Sequence, residues 1–251
     1  MRIILSPAKK MKEIPDILSF KDFPVFLNQT EEILDWLKSR KREELKKLWA
    51  CNDRIVEQNV ERLAHMNLRQ NLTPAVLSYD GIAYQYMAPA VFETGQIEYI
   101  QKHLRILSAF YGVLSPMDGV TPYRLEMQAK ASIGGYKDLY DLWGSRLYEE
   151  VRDESGIILN LASKEYFKCI ESFLSAEDTF ITPVFCEEVE GKLVTKGTYA
   201  KMARGEMVRF MAEKRIEDPR ELQEFDRLGY RFRPELSSDV NYIFEREKSK
   251  V

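Results

Sequence analysis

The spacing of apolar and polar positions changes several times along the 251 residues. Residues 2–6 (RIILS) are a short continuous apolar run ended by Pro7, which predicts a buried strand. From 30 to 66 apolar residues recur every three or four positions, as Ile33, Trp36 and Leu37, then Leu45, Leu48 and Trp49, then Ile55, Val56, Val60 and Leu63. That period predicts three helices, with Asn52 placed to cap the last through its side-chain oxygen. Residues 96–110 read as a further helix, stopped near Gly112 and Pro116. Residues 121–127 (TPYRLEM) alternate like a strand, with Tyr123, Leu125 and Met127 on one face and Arg124 and Glu126 on the other. A helix follows through Leu139, Leu142, Trp143, Leu147 and Val151. The run 157–161 (IILNL) is then a buried strand interrupted by Asn160. Strands at 179–185 and 192–196, turned at Glu190-Gly191, precede a helix over 198–215 and a closing strand pair at 230–233 and 239–246.

Interleaved strands and helices place the chain in the mixed α/β (α+β) class. The hairpin-like spacings near 179–196 and 230–246 imply a mixed sheet rather than a purely parallel one. No Gly/Ser/Pro-rich linker, low-complexity tract or internal repeat divides it, so the expectation is one compact domain over 1–251. Its 45% apolar and 12% aromatic residues suffice for a sizeable core. No apolar run nears the ~20 residues of a membrane span. The Ile3–Leu5 run is too short for a signal-peptide core, so a cytoplasmic protein is expected. Three widely spaced cysteines, Cys51, Cys169 and Cys186, suit reduced thiols with no disulfide partner.

Charge adds a local contrast to a net of −3. Residues 38–47 (KSRKREELKK) hold six bases and two acids, and residues 192–215 hold seven bases and two acids, whereas 171–191 carry six acids and no base. Such polarity can present a positive surface, although solvated helix faces produce the same pattern. Familiar nucleotide motifs are missing: there is no G-x-x-x-x-G-K loop and no G-x-G-x-x-G after a strand. His65 and His103 stand alone and no Cys-x-x-Cys exists, so neither a resident metal nor another cofactor is expected. Ser6-Pro7-Ala8-Lys9 matches S-x-x-K, but the partner motifs of serine acyl-transfer enzymes are absent. Its position is more informative, because a hydroxyl and an ammonium at a strand's C-terminal edge stand where ligands collect in α/β folds. Arg124 with Glu126, Asn160 with the following Ser163 and Tyr166, and Lys201 with Arg204 one helical turn apart form further polar sets beside apolar runs. Arg124 and Glu126 also read as an ordinary ion pair on a wet sheet face. Ser6–Lys9, Arg124 and Ser163 are expected on one concave surface, with Lys201 and Arg204 exposed. Gly205, unfavourable inside a helix, suggests the close approach of a backbone or a phosphate.

Five blocks identify a family: LSPAK at 5–9, LRILSAFYGVLSPMDGVTPYRLEM at 104–127, KDLYDLWG at 137–144, ILNLASKEYFK at 158–168 and YAKMARGEMVRF at 199–210. In this order and nearly end to end, the chain resembles the YaaA peroxide-stress family. The resemblance implies a protein that keeps unincorporated intracellular iron low and so limits oxidative damage. It also implies a mixed α/β fold with a positively charged cleft that binds double-stranded DNA and DNA with unpaired bases. A helix-hairpin-helix element belongs to that picture and falls at 42–66, its hairpin near Ala50, Cys51 and Asn52. That hairpin lacks the glycines that let amides approach phosphate, with Lys46 and Lys47 placed to compensate. Two functions follow. The first is a DNA-binding peroxide-stress protein whose DNA or anion contacts are Lys9, Lys46, Lys47, Arg124, Asn160, Lys201 and Arg204. The alternative is an enzyme acting on a small anionic, nucleotide-like substrate, with Glu126, Ser163 and Tyr166 as candidate catalytic groups.

Overall fold

The computed structural model describes residues 1–14 and 18–247. Its strands are β1 Arg2–Leu5, β2 Thr73–Pro74, β3 Leu104–Ser108, β4 Gly112–Leu114, β5 Gly119–Val120, β6 Ile157–Leu161, β7 Thr179–Val189, β8 Lys192–Val194, β9 Tyr230–Phe232 and β10 Asn241–Arg246. Its α-helices are α1 Leu27–Lys38, α2 Arg42–Trp49, α3 Asp53–His65, α4 Ala75–Ser78, α5 Ile82–Met87, α6 Thr94–His103, α7 Leu139–Trp143, α8 Arg146–Val151, α9 Lys164–Glu171 and α10 Gly197–Lys214. Eight strands form one mixed sheet in the order β4-β3-β1-β6-β7-β10-β9, with β8 folded back on β7, while β2 and β5 pair separately. The mixed α/β class expected from the sequence is therefore the observed one.

The sheet's centre follows from the apolar runs. Ile3, Ile4 and Leu5 of β1 are buried, and β1 pairs in parallel with β3 on one side and β6 on the other. Parallel strands covered on both faces need continuous rather than alternating hydrophobicity, which RIIL, LRILS and IILNL supply. Burying each such aliphatic side chain is worth ~1.5–3 kcal/mol. The five parallel strands run in space as β3-β1-β6-β7-β10, so the chain reverses its direction of progress across the sheet between β1 and β6. That reversal is the crevice-forming point of open α/β sheets.

Three expectations are corrected. The segment 96–110 is not one helix: α6 ends at His103, and 104–108 is β3, beside β1 in the middle of the sheet. Residues 121–127 keep the expected alternation, with Tyr123, Leu125 and Met127 buried, but they pair with no strand and run as extended chain. The helix through 139–151 is two helices, broken at Gly144, whose positive φ of 53° ends α7. The three helices of the 30–66 region form as expected, and Asn52 caps α3 by accepting from the Ile55 amide at 3.0 Å. Among the described residues no helix is long and apolar enough to cross a membrane. Cys51, Cys169 and Cys186 are free thiols.

Candidate functional site

A cavity of about 420 Å³ opens at the carboxyl ends of β1 and β6, at the reversal point. β1 delivers Ser6–Lys9 to it, and β6 delivers Ser163, where α9 begins. The Ser163 amide donates to Ser6 Oγ at 2.8 Å, and the two hydroxyls are 3.2 Å apart, tying the two strand ends together. The extended chain 123–126 forms another wall, and α5 and α10 form the next.

Two glycines let these walls meet. A Cβ on Gly205 would lie 1.9 Å from the carbonyl oxygen of Ala83, so only glycine lets α10 pack onto α5. A Cβ on Gly81 would lie 2.7 Å from Ala8 Cβ, so glycine also admits α5 beside the tail of β1. Gly205 thus permits the approach of a backbone, and that approach turns the Lys201–Arg204 side of α10 into the cavity.

Within the cavity Glu126 is the counter-ion of two cations. Its Oε2 lies 2.6 Å from Lys9 Nζ, and its Oε1 accepts from Arg124 Nη2 at 2.8 Å. Both carboxylate oxygens are engaged, so a general-base role requires release of Lys9 or Arg124. Asp80 meets Lys10 and Lys12. Burial alone would raise its pKa, but hydrogen bonds from Gln85 and Lys12 outweigh it and leave the carboxyl below its ordinary value. Tyr84 donates to the Ser6 carbonyl at 2.9 Å. Burial pushes Tyr123 up to about 12, and its hydroxyl is held between Tyr79 and Ser108. Tyr166 is raised further, again chiefly by burial, so it stays a neutral phenol.

Arg204, like Lys201, stands outside this pairing. Expected in solvent, it is instead half-buried, with its Nε sealed from solvent and unbonded. Among the described residues no carboxylate pairs with it, and burial lowers its pKa. A guanidinium stays protonated even so. The structure therefore holds a partly buried positive charge without a carboxylate partner, an arrangement of the kind found at ligand sites. Arg124 Nε is likewise buried and unbonded.

Of the residues singled out in sequence, Lys9, Arg124, Glu126, Ser163, Tyr166, Lys201 and Arg204 line this cavity. Asn160 does not reach it. It is 1% exposed, donates to Thr182 Oγ1 at 3.2 Å and accepts from the Ala162 amide at 3.0 Å. It therefore shapes the end of β6 ahead of Ser163 instead of meeting an anion. Lys46 and Lys47 lie away on α2. Lys46 Nζ sits 2.8 Å from Asp53, and Arg42 bonds both Asp53 and Glu57, so the charge beside the α2–α3 turn is largely spent within it. Lys47 is exposed. The segment 80–84 was missed in sequence although Asp80-Gly81 is a turn signal, because α5 has only six residues and too short a period to read. Among the described residues no cluster of three or more His, Cys, Asp or Glu is placed to hold a metal ion. His103 is buried between the Met1 carbonyl and Glu217.

Comparison with known proteins bears on the whole chain. A "UPF0246 protein" of Agathobacter rectalis is 64% identical over 247 residues, covering 98% of this chain and 99% of its own. Similar proteins of the same name from Lachnoclostridium phytofermentans and Desulfitobacterium hafniense are 54% and 51% identical, the first across 100% of this chain and 98% of its own, the second across 97% of each. The family described as "Peroxide stress protein YaaA" matches residues 1–236, which contain every residue of the cavity. On that match the chain belongs to the peroxide stress protein YaaA family.

Proposed function

We propose that this protein serves the peroxide-stress response in the cytoplasm by binding an anionic, nucleotide-sized group in the cavity between β1, β6, α5 and α10. One observation carries the reading: Arg204 is half-buried at the cavity wall, and among the described residues no carboxylate pairs with it. Burying an unpaired charge is destabilising, and the cost is offset when an anion arrives. A volume of about 420 Å³ suits a small molecule or one residue of a polymer and is far too small for a duplex.

DNA with an unpaired nucleotide is a second source of such a group, and it joins the two readings taken from the sequence. What favours it is the turn between α2 and α3, where exposed Lys47 can meet a backbone phosphate. In this reading double-stranded DNA is held by surface cations, while an unpaired nucleotide enters the cavity. Any lowering of unincorporated iron then follows from the nucleic acid or nucleotide bound, rather than from iron held by the chain.

The test is Arg204→Met, which keeps an unbranched, helix-compatible side chain and removes the charge. If Arg204 waits for an anion, the variant melts higher than the parent and binds nucleoside monophosphates at least ~10-fold more weakly, since a charge-assisted hydrogen bond is lost. Calorimetry and thermal melting read the two effects separately. A lower melting temperature with unchanged binding would make Arg204 a structural residue and remove the support for this site.

A further inference from the structure

Five cations border the cavity, Lys9, Lys10, Arg124, Lys201 and Arg204, against three carboxylates, Asp80, Glu126 and Glu165. Glu126 answers Lys9 and Arg124, and Asp80 answers Lys10. The surplus is two positive charges, with Lys201 and Arg204 left without a carboxylate among the described residues. A phosphate monoester carries about −1.5 to −2 at pH 7, whereas a backbone phosphodiester carries a single charge.

Hydrogen-bond donors point the same way. Ser6 and Ser163 have two hydroxyl protons, and the 3.2 Å contact between them uses one. Whichever serine donates, the other's proton remains for a further acceptor. Both serines line the cavity. The terminal guanidinium nitrogens of Arg204 make no hydrogen bond among the described residues, and the Lys201 ammonium adds further donors. A monoester offers three strong acceptor oxygens; a diester has one fewer free. The remaining wall is apolar, from Leu5, Pro7, Ile82 and Leu125, which suits a nucleoside-like body rather than inorganic phosphate alone.

Resting on the anion-binding reading of this cavity, we propose that its ligand is a terminal phosphate monoester on a nucleoside-sized body, not an internal phosphodiester, with the Ser6–Ser163 pair as a donor to the phosphoryl group. Two sources share that chemistry: a free mononucleotide, and the 5′-phosphorylated end of a nucleic-acid strand.

The experiment is calorimetric titration of the full chain with adenosine 5′-monophosphate, its phosphate methyl ester and adenosine. Fluorescence anisotropy of one single-stranded oligonucleotide, with a 5′-phosphate or a 5′-hydroxyl, runs alongside. The monoester should bind at least ~10-fold tighter than its methyl ester, as expected when a charge-assisted contact is lost. The advantage should shrink as the pH falls below ~6 and the second proton adds to phosphate. Ser163→Ala should weaken the monoester more than the methyl ester; Ser6→Ala provides the same readout if that variant alters the fold. A preference for the 5′-phosphorylated oligonucleotide marks strand ends as the source. Tight monoester binding without that preference marks free mononucleotides, and either result carries the inference. Equal binding of monoester and methyl ester would overturn it while leaving the anion site intact. Binding of none of the three ligands, with no response to 5′-phosphorylation, would overturn both.

Discussion

At the scale of single residues, two buried nitrogens without a hydrogen bond, Arg124 Nε and Arg204 Nε, belong to residues of the cavity wall, while others, such as Arg105 Nε, lie elsewhere in the fold. Buried charge is answered in different ways: Glu187, 2% exposed, lies 2.8 Å from Lys196 and 2.9 Å from Arg246, whereas the buried Arg105 donates to the carbonyls of Gln101 and Leu104. Asp118 is an instructive contrast, because it is buried by the fold rather than kept for a ligand. Its carboxyl accepts from the Ser115 amide at 2.8 Å and closes the turn before β5. Burial pushes it up to about 7, against the opposing pull of that hydrogen bond and of Arg105. An unfolded aspartate titrates near ~3.9. The folded state thus holds its proton more tightly between about pH 4 and 7. The stability linked to that proton is full below ~4 and is lost as the pH rises through 7. Asp118→Asn keeps the acceptor and abolishes the ionisation. It should melt above the parent at pH 8, and the gap should close as the pH falls toward 4. A gap that does not change with pH would mean that Asp118 is not the titrating group. None of this was visible in the sequence, where Asp118 is one acid in a turn. Its environment is set by Arg105 and by the pairing of the following β5 with β2, contacts remote from its own segment in the chain.

At the scale of elements, close approach of α10 to α5 forms one side of the site. Gly205 is where it can be broken. Replacing it with alanine would drive a methyl into the Ala83 carbonyl, and backbone cannot swing aside as a flexible side chain can. Overpacking of this kind costs about 1–3 kcal/mol or more, although alanine is the better helix former. Gly205→Ala should therefore lower the urea midpoint and, by moving Lys201 and Arg204 away from α5, weaken anion binding at temperatures where the chain is still folded. Unchanged stability and binding would show that α5 shifts freely. The elements framing the cavity were unequally legible. β1, β6 and α10 could be read because each carries a local signal: an unbroken apolar run for the strands, a long period with a lysine–arginine polar side for the helix. β3 could not, because LRILS follows α6 with no breaker and its apolar residues continue a helical spacing. What makes it a strand is pairing with β1 about a hundred residues away. The alternation over 121–127 gave the right inside and outside without a ladder, since burial needs only that alternate residues turn inward. Arg124 and Glu126 therefore face the cavity as half the pattern requires, even though no sheet holds them.

At the scale of the whole molecule, a net charge of −3 hides two basic segments, and the fold decides how much of each is free. In 192–215, Lys196, Arg209 and Lys214 pair with Glu187, Glu213 and Glu224, while Lys201 and Arg204 turn to the cavity. In 38–47, Arg40 meets Glu44, and Arg42 and Lys46 converge on Asp53. Hydrogen bonds from Lys46 and then Arg42 hold the Asp53 carboxyl below its ordinary range, so it is charged at neutral pH. A duplex lying over the α2–α3 turn would have to compete with that carboxylate for both cations. Asp53→Asn removes the competitor and leaves Arg42 and Lys46 to meet phosphates. Its cost to α3 is small, because Asp53 is exposed and solvent screens both its helix-dipole interaction and its ion pairs. If DNA is held on this face, the variant should bind a labelled duplex more tightly in fluorescence anisotropy. The slope of log affinity against log salt should steepen by about one to two, roughly one for each phosphate newly contacted. The gain should be alike for every sequence, since backbone contacts carry no base information. Monophosphate binding in the cavity should not change, because neither Arg42 nor Lys46 lines it. A variant whose duplex affinity and salt slope match the parent would take the α2–α3 turn out of DNA binding and leave the β1–β6 cavity as the place where this protein meets its anion.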